Sequence, residues 1–441
     1  MKTMFKTTVY TLLMIAAIFV ATVIIINLSL FDQQPDPGVT ALIPIAPPPV
    51  VEANAYYAVM GLSAAKDMPI IDAGAQLIER YKHNRKQGED VLSSNDFHEI
   101  LGVQEADKPW QDRYERCKAV RENGCLKKLS QQLKTNPVDD PRLALMLHRY
   151  DSIMQLTTFK NFNDVTIGTP VPAYSVLMSL SQLKLADLYN SGPQADFLEQ
   201  IKIDLAFWKM QMVEGLMLVD KMVAIAAIWS DLQYLSEFIA SREISEQEHF
   251  LIDSVLVPFK HADLDVSSAF ASEARSTYRW VNSISVNSLE LKYMLLQPNA
   301  TMNLYYRYLF EPMAELSHLS AAEFIKAKRS TNYRQRGDVV ASLISYTPDS
   351  LYNYGGKVLF SGNWCKSCDV YIARGHDLNG LINLVKLQLI IKTTAGEDVH
   401  QSISNSGIKN PYTNEAYDFD ARGNWLQFVC LDKALVCRIK L

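Results

Sequence analysis

The residues best suited to chemistry in this chain are its six cysteines. They fall into three close pairs: Cys117 with Cys125, Cys365 with Cys368, and Cys430 with Cys437. Two thiols a few residues apart can form a structural disulfide, act as a dithiol that exchanges with other disulfides, or supply half of a zinc site. Proximity alone does not choose among the pairings that six cysteines allow. Cys365 and Cys368 stand three positions apart, close enough to bridge each other or to exchange with another disulfide. No histidine stands at ligand spacing beside them, which disfavours zinc and leaves a structural bridge ahead of a redox pair. Other candidates are weaker. His148 and Asp151 lie one helical turn apart and could exchange a proton, but no nucleophile stands nearby, so a surface contact or a satisfied core histidine accounts for them. Asp139 and Asp140, just before Pro141, are accounted for as a helix start. The G-x-S-x-G elbow, the H-E-x-x-H zinc motif and the glycine-rich phosphate loop are absent. This inventory implies no catalytic residue, cofactor or metal.

The string Trp364-Cys365-Lys366-Ser367-Cys368 resembles the active-site motif of thioredoxin-like oxidoreductases, and Pro411 lies at about the distance downstream where that family places its cis-proline. The resemblance implies a long helix beginning at the motif. Here Gly375, followed by a capping residue at Asp377, leaves room for only a short one, and the chain ends on a strand pattern instead of a closing helix.

What must position these residues begins with the N-terminus. From Thr7 to Phe31 there is no charged residue, and at the helical rise that run crosses a hydrocarbon layer about 30 Å thick. Lys2 and Lys6 precede it, whereas Asp32, Asp36 and Glu52 follow with no base before Lys66, so the positive-inside rule leaves residues 1–6 in the cytoplasm. A cleaved secretory signal is the alternative, but the apolar stretch is too long and ends in bulky residues with no small-x-small step. Either reading exports the rest of the chain to an oxidising compartment, where six cysteines form disulfides.

Beyond the span, residues 32–52 carry Pro35, Pro37, Pro44, Pro47, Pro48 and Pro49 and read as an extended stalk. Residues 53–335 read as a helical domain. Asp140-Pro141 opens one helix, and apolar spacings of three and four return over Tyr174–Tyr189, Ala195–Met212, Leu216–Ala240, Glu246–Val257, Ala269–Val281 and Asn303–Lys328. They predict an array of helical hairpins, as a compact bundle or a solenoid. Leu216–Trp229 is apolar nearly all round, but its uninterrupted core is too short to span a membrane, so it reads as a buried helix with Asp220 and Lys221 near its polar side. Asn299-Ala300-Thr301 is expected to cap the helix that Asn303 begins, glycosylation being confined to a eukaryotic host. Asn123-Gly124 is a helix-stop signal, so a Cys117–Cys125 bridge would pin Trp110–Glu122 and Cys125–Leu133 at their corner.

Residues 336–441 read as a small α+β module in which Asp377 caps a helix through Leu389 and Glu415–Phe419, Trp425–Cys430 and Leu435–Leu441 form a meander. A two-residue turn at Lys433 and Ala434 would set Cys430 opposite Cys437, Phe428 opposite Ile439 and Leu426 opposite Leu441 on one face, with Gln427 opposite Lys440 and Val429 opposite Arg438 on the other. The fold class is therefore mainly α: one transmembrane helix, a helical-hairpin array and a C-terminal α+β module.

The stretch Tyr371–Leu387, the string Asn410–Asp420, a cysteine pair in the early helical region and Pro298–Asn303 resemble uncharacterised, membrane-anchored proteins of Gram-negative bacteria. That resemblance implies an inner-membrane protein with a periplasmic α-rich domain and supplies no catalytic residues; Cys365 and Cys368 are not part of its pattern. With a net charge of −5 and scattered basic residues, nucleic acid is not an expected partner. The expected partners are the membrane, through residues 7–31, and an envelope protein bound by a non-catalytic ectodomain. The alternatives are a periplasmic thiol-disulfide exchange protein using Cys365 and Cys368, and an envelope hydrolase whose site carries no motif.

Overall fold

The computed structural model describes residues 2–42, 50–87, 91–102, 124–135, 140–161, 166, 168–191, 193–287, 295–330, 351–362, 368–394 and 398–441. The protein is mainly helical, with one apolar N-terminal helix and a three-stranded antiparallel sheet near the C-terminus. The first helices are α1 (Lys2–Ile26), α2 (Pro37–Ala41), α3 (Ala55–Met60), α4 (Ile70–Lys86), α5 (Ser94–Leu101) and α6 (Cys125–Thr135). The middle of the chain holds α7 (Pro141–Met154), α8 (Tyr174–Ser191), α9 (Gln194–Glu214), α10 (Leu218–Ala240), α11 (Glu246–Val255), α12 (His261–Leu264) and α13 (Ser267–Asn287). The remainder comprises α14 (Pro298–Tyr305), α15 (Glu311–Ser317), α16 (Ala321–Arg329), α17 (Tyr354–Gly362), α18 (Asp369–Thr393) and α19 (Val399–Asn405), then β1 (Asp418–Asp420), β2 (Trp425–Gln427) and β3 (Arg438–Lys440). Residues 110–122, expected to be helical, and 339–346 lie outside the described residues.

Two compact units divide the chain, and neither is continuous in sequence. The first comprises Met1–Ile45, Phe270–Leu316 and Lys326–Cys368; the second comprises Ala46–Ala269, Ser317–Ile325 and Asp369–Leu441. Both the expected helical domain and the expected C-terminal module thus contribute to the second unit.

In the first unit, α1 keeps its side chains out of the core. Phe5–Ile26 is 22 residues of apolar helix with none of its most apolar stretch buried, and at the helical rise it is about 33 Å long, enough to cross a membrane. The described part of the expected stalk, Asp32–Leu42, is not an extended spacer. Pro37 opens α2, Val39 is fully buried, and the Arg275 side chain donates to the Leu42 carbonyl at 2.9 Å. Proline fits the first helical turn because the N–H it lacks has no intrahelical partner there, so this part of a proline-rich segment folds. The helix expected from Asn303 to Lys328 is broken. It begins earlier as α14 and passes through a π-helical turn over Tyr306–Phe310 into α15. Pro312, which has no N–H to return to the preceding turn, accounts for the widened ladder. α17 packs on α14 through Tyr305 and Phe360, whose rings meet edge-on at 4.9 Å. Gly356 makes that approach possible, since a Cβ there would collide with Thr301 and Asn353.

The second unit holds the large core. α8, α9 and α10 pack as neighbouring helices, α18 lies along α10, and α3 pairs with α4. α10 is the centre: Ile228, Trp229, Tyr234, Leu235 and Phe238 are fully buried, and Phe238 stacks on Phe197 of α9 with ring centroids 4.7 Å apart. The expectation of a buried helix holds for Leu216–Trp229, but Asp220 and Lys221 do not lie on a polar side. Both are buried, while Val219 beside them holds the exposed position of that turn. Lys221 instead donates to the carbonyls of Met212 and Val213 at the end of α9, where a helix leaves acceptors unpaired.

α18 corrects two expectations. It starts at Asp369, directly after Cys368, and runs 25 residues without a break at Gly375. Asp377 is therefore not a cap but a buried mid-helix residue, and the packing of α18 against α10 sustains the helix through its glycines. The meander forms, in the order β1-β2-β3, with a shifted register: Leu426 opposes Ile439 and Gln427 opposes Arg438. The expected pairing was two residues away. The shift is even, so the buried face still carries Leu426, Phe428, Cys437 and Ile439. The turn at Lys433 and Ala434 does form, closed by the Leu435 N–H on the Asp432 carbonyl, but four residues (428–431) lead from the ladder to it on one arm against two (436–437) on the other, and that difference shifts the register.

Candidate functional site

Within the first unit, the end of α1 is tied by hydrogen bonds to several distant segments. Asn27, one residue beyond the helix, is buried; its amide group donates to the carbonyls of Val23 and Leu351, at 2.8 and 2.9 Å, and accepts the Asn353 N–H at 2.8 Å. The Gln297 side chain donates to the Leu28 carbonyl at 3.1 Å and the Tyr352 hydroxyl to that of Phe31 at 3.0 Å. Asp32 caps α14, its two carboxylate oxygens accepting the backbone N–H groups of Asn299 and Ala300 at 2.8 and 3.0 Å. Asn299 is therefore inside the first turn, and the cap comes from 267 residues away. An anion there also meets the positive end of the helix dipole. Asn303 accepts the Asp36 N–H and donates to the Gln34 carbonyl, and Arg307 pairs with Asp36 at 3.0 Å.

The second unit contains carboxylates that composition gives no reason to expect inside. Asp204 of α9 has no exposed surface and accepts from Tyr150, Ser181 and Gln200. Asp231 of α10 is buried beside it, and its Oδ2 has no hydrogen-bond partner. Burial raises the pKa of both, and the proximity of the other carboxyl adds to the rise at Asp231, so the pair favours keeping a proton. Asp220 is the hub of a second network, accepting from Asn161 at 2.7 Å, from Tyr174 at 2.5 Å and from the Met217 N–H at 3.0 Å. A third surrounds Asp377, which accepts from the Tyr412 hydroxyl at 2.5 Å and from the backbone of Leu431 and Asp432 at 2.8 and 2.9 Å. Burial pushes Asp377 up to about 6 despite these donors, while burial lowers neighbouring His376 to about 4 and keeps it neutral. These groups have no open face toward a substrate; Asp204, Asp220 and Asp377 each fasten one helix or loop to another.

No protein-family model, curated protein or solved structure matches the chain.

The cysteines divide between the described residues and those beyond them. Cys430 and Cys437 are bonded to each other, with Cα atoms 5.7 Å apart. Cys125, at the start of α6, and Cys368, just before α18, are also disulfide-bonded, whereas Cys117 and Cys365 lie outside the described residues. The Asp377 carboxylate and the sulfurs of Cys430 and Cys437 lie within 4.8 Å of one another, but the sulfurs are spent on their mutual bond, so the trio is a carboxylate beside a disulfide. His148 and Asp151 do not form a site, since Asp151 pairs with Lys184 of α8 at 3.1 Å. Asp140 is the cap expected of it, accepting from Arg142 and Leu143, and Asp139 lies outside the described residues. An open cleft of about 440 Å³ in the second unit is lined in part by Lys127, Tyr189, Gln233, Trp425 and Lys440. Its carboxylate, Glu237, is already taken up by the N–H groups of Cys125 and Lys127 at the start of α6.

Asp32, Asn27, Asp204 and Asp377 carried no motif. The one sequence signal for them was type against context: Asn27 beside a run of isoleucines, and Asp377 within an apolar helical pattern.

Proposed function

We propose that this is a single-pass protein of a bacterial inner membrane, N-terminus in the cytoplasm, whose ectodomain in the periplasm serves as a non-catalytic accessory and binds another envelope protein. The hydrogen bonding at the end of α1 carries the reading. A signal sequence is made to be cut away, yet Asn27 and Asp32 supply acceptors that the Asn353, Asn299 and Ala300 N–H groups use. A cut that removed Asn27 would leave the buried Asn353 N–H unpaired, at about 1–3 kcal/mol for a buried group. One beyond Asp32 would also strip the half-buried Asn299 and Ala300 N–H groups of their acceptor, so retention of the helix is favoured. An accessory role agrees with a second unit whose buried acids serve helix packing and with the absence of a catalytic motif.

The test is the intact mass of the protein purified from membranes, with alkaline extraction and a periplasm-dependent reporter fused after Leu441. A full-length chain, resistant to extraction and with an active reporter, is expected. A chain beginning after residue 26, or a reporter active only in the cytosol, overturns the reading. Crosslinking in intact cells then identifies the partner.

One observation favours a second reading, thiol–disulfide exchange at Cys365 and Cys368: the helix such a motif needs does follow Cys368 at once. A redox titration decides it. A catalytic pair titrates well before Cys430–Cys437, whereas a structural bridge resists reduction alongside it.

A further inference from the structure

The geometry points to a lipid-contacting surface on the first unit: Leu28, Leu30 and Phe31 with Tyr354 and Val358 of α17 rest in the headgroup boundary of the bilayer that α1 spans. This rests on the reading of α1 as a retained span. The length of Phe5–Ile26 matches a hydrocarbon core about 30 Å thick, which puts Asn27 at its edge. Leu351 and Asn353 are hydrogen-bonded to Asn27, so they lie at that same level. Tyr354 is the next residue, within about 4 Å of Asn353 along the backbone, and Val358 follows one helical turn later on the same face.

The exposure of these side chains gives the reason. Leu30 is 83% exposed, Phe31 52%, Leu28 48%, Tyr354 40% and Val358 38%. A single exposed apolar side chain needs no explanation, but five gathered where a span leaves the membrane form a patch that water would not favour. A tyrosine at this level is suited to the boundary, with an apolar ring and a hydroxyl that stays wet. The patch continues the lipid-facing surface of α1 itself, which selects lipid over a protein as its occupant. The hydrogen bonds around Asn27 and Asp32 then have a second consequence: the unit is held at a set angle on the membrane instead of swinging from a tether.

The test uses the full chain in phospholipid vesicles, with a photoreactive benzophenone side chain replacing Phe19, Tyr354 or Val358 in turn, followed by irradiation and intact mass measurement. A mass shift of one phospholipid is expected at all three positions. A lipid adduct at position 19 with none at 354 and 358 leaves the span standing and overturns the surface. No lipid adduct at position 19 removes the span and the surface with it. The same variants irradiated in native membranes supply the remaining outcome: capture of a protein instead of lipid at 354 and 358 overturns the lipid assignment.

Discussion

Each of the two units of this protein is held together internally by its own means. In the first, a helix that buries none of its apolar face is joined to its unit through amides and carboxylates: Asn27, Asp32, Asp36 and Asn303 each reach a partner more than 250 residues away in sequence. In the second, large apolar side chains close around α10, and the buried carboxylates of Asp204, Asp220 and Asp377 are each met by several donors, Asp231 being the exception. The difference follows from what each must face. A span has to keep its apolar surface for lipid, so only directional polar contacts at its end remain to fix it, whereas helices in water bury apolar surface against one another.

If burial dominates the second unit, Trp229→Ala should have the largest effect, a loss of about 3–5 kcal/mol on denaturant unfolding of the second unit. A loss below that of any polar variant would break the contrast. Asp220→Ala should follow, at about 2–4 kcal/mol, because Asn161, Tyr174 and the Met217 N–H lose their acceptor. Asp220→Asn should cost less. Next comes the loss of the Cys430–Cys437 bridge: Cys430→Ser with Cys437→Ser closes no loop, and a bridge across so short a segment is worth about 2–3 kcal/mol. In the first unit Asp32→Ala should cost only about 1–2 kcal/mol. Its signature is local: hydrogen exchange should accelerate at the amides of Asn299 and Ala300 while α10 stays protected. Protection lost throughout would mean that the cap sustains far more than one helix end.

The smallest effect is the dependence on pH. A carboxyl whose pKa is raised on folding binds more protons folded than unfolded, so its favourable contribution is complete below the unfolded value of about 4 and is lost as pH rises through the folded value. Asp377, at about 6, and the Asp204 and Asp231 pair act in this direction. His376, lowered to about 4, acts oppositely: its contribution is present above the unfolded value of about 6.5 and is lost as pH falls to about 4. Asp231→Asn should therefore raise the melting temperature at pH 7 more than at pH 4. An equal change at both would mean that Asp231 is ionised in the folded protein at neutral pH.

Much of the fold was legible because its signals are local. The apolar run of α1, the spacing behind α8 to α11, the cap at Asp140 and the inward face of the C-terminal hairpin all depend on residues within a few turns of one another. The register of that hairpin was not legible, since a shift by two positions preserves the same apolar face and the choice falls to the unequal arms between the ladder and the turn. Asp377 misled for a related reason: an aspartate after a glycine reads as a helix start, and only the neighbours of α18 show that the helix runs straight through.

By itself the sequence determined that a helix long and apolar enough to cross a membrane precedes a large helical body, and that Cys430 and Cys437 lie close enough to bond, because chain connectivity and hydrophobic periodicity act over short distances. Only the tertiary structure decided that Asp32 caps a helix 267 residues away and that Asp204, Asp220 and Asp377 lie inside. Whether a carboxylate is solvated or enclosed depends on segments that meet only once the chain has folded, and no spacing along it carries that information.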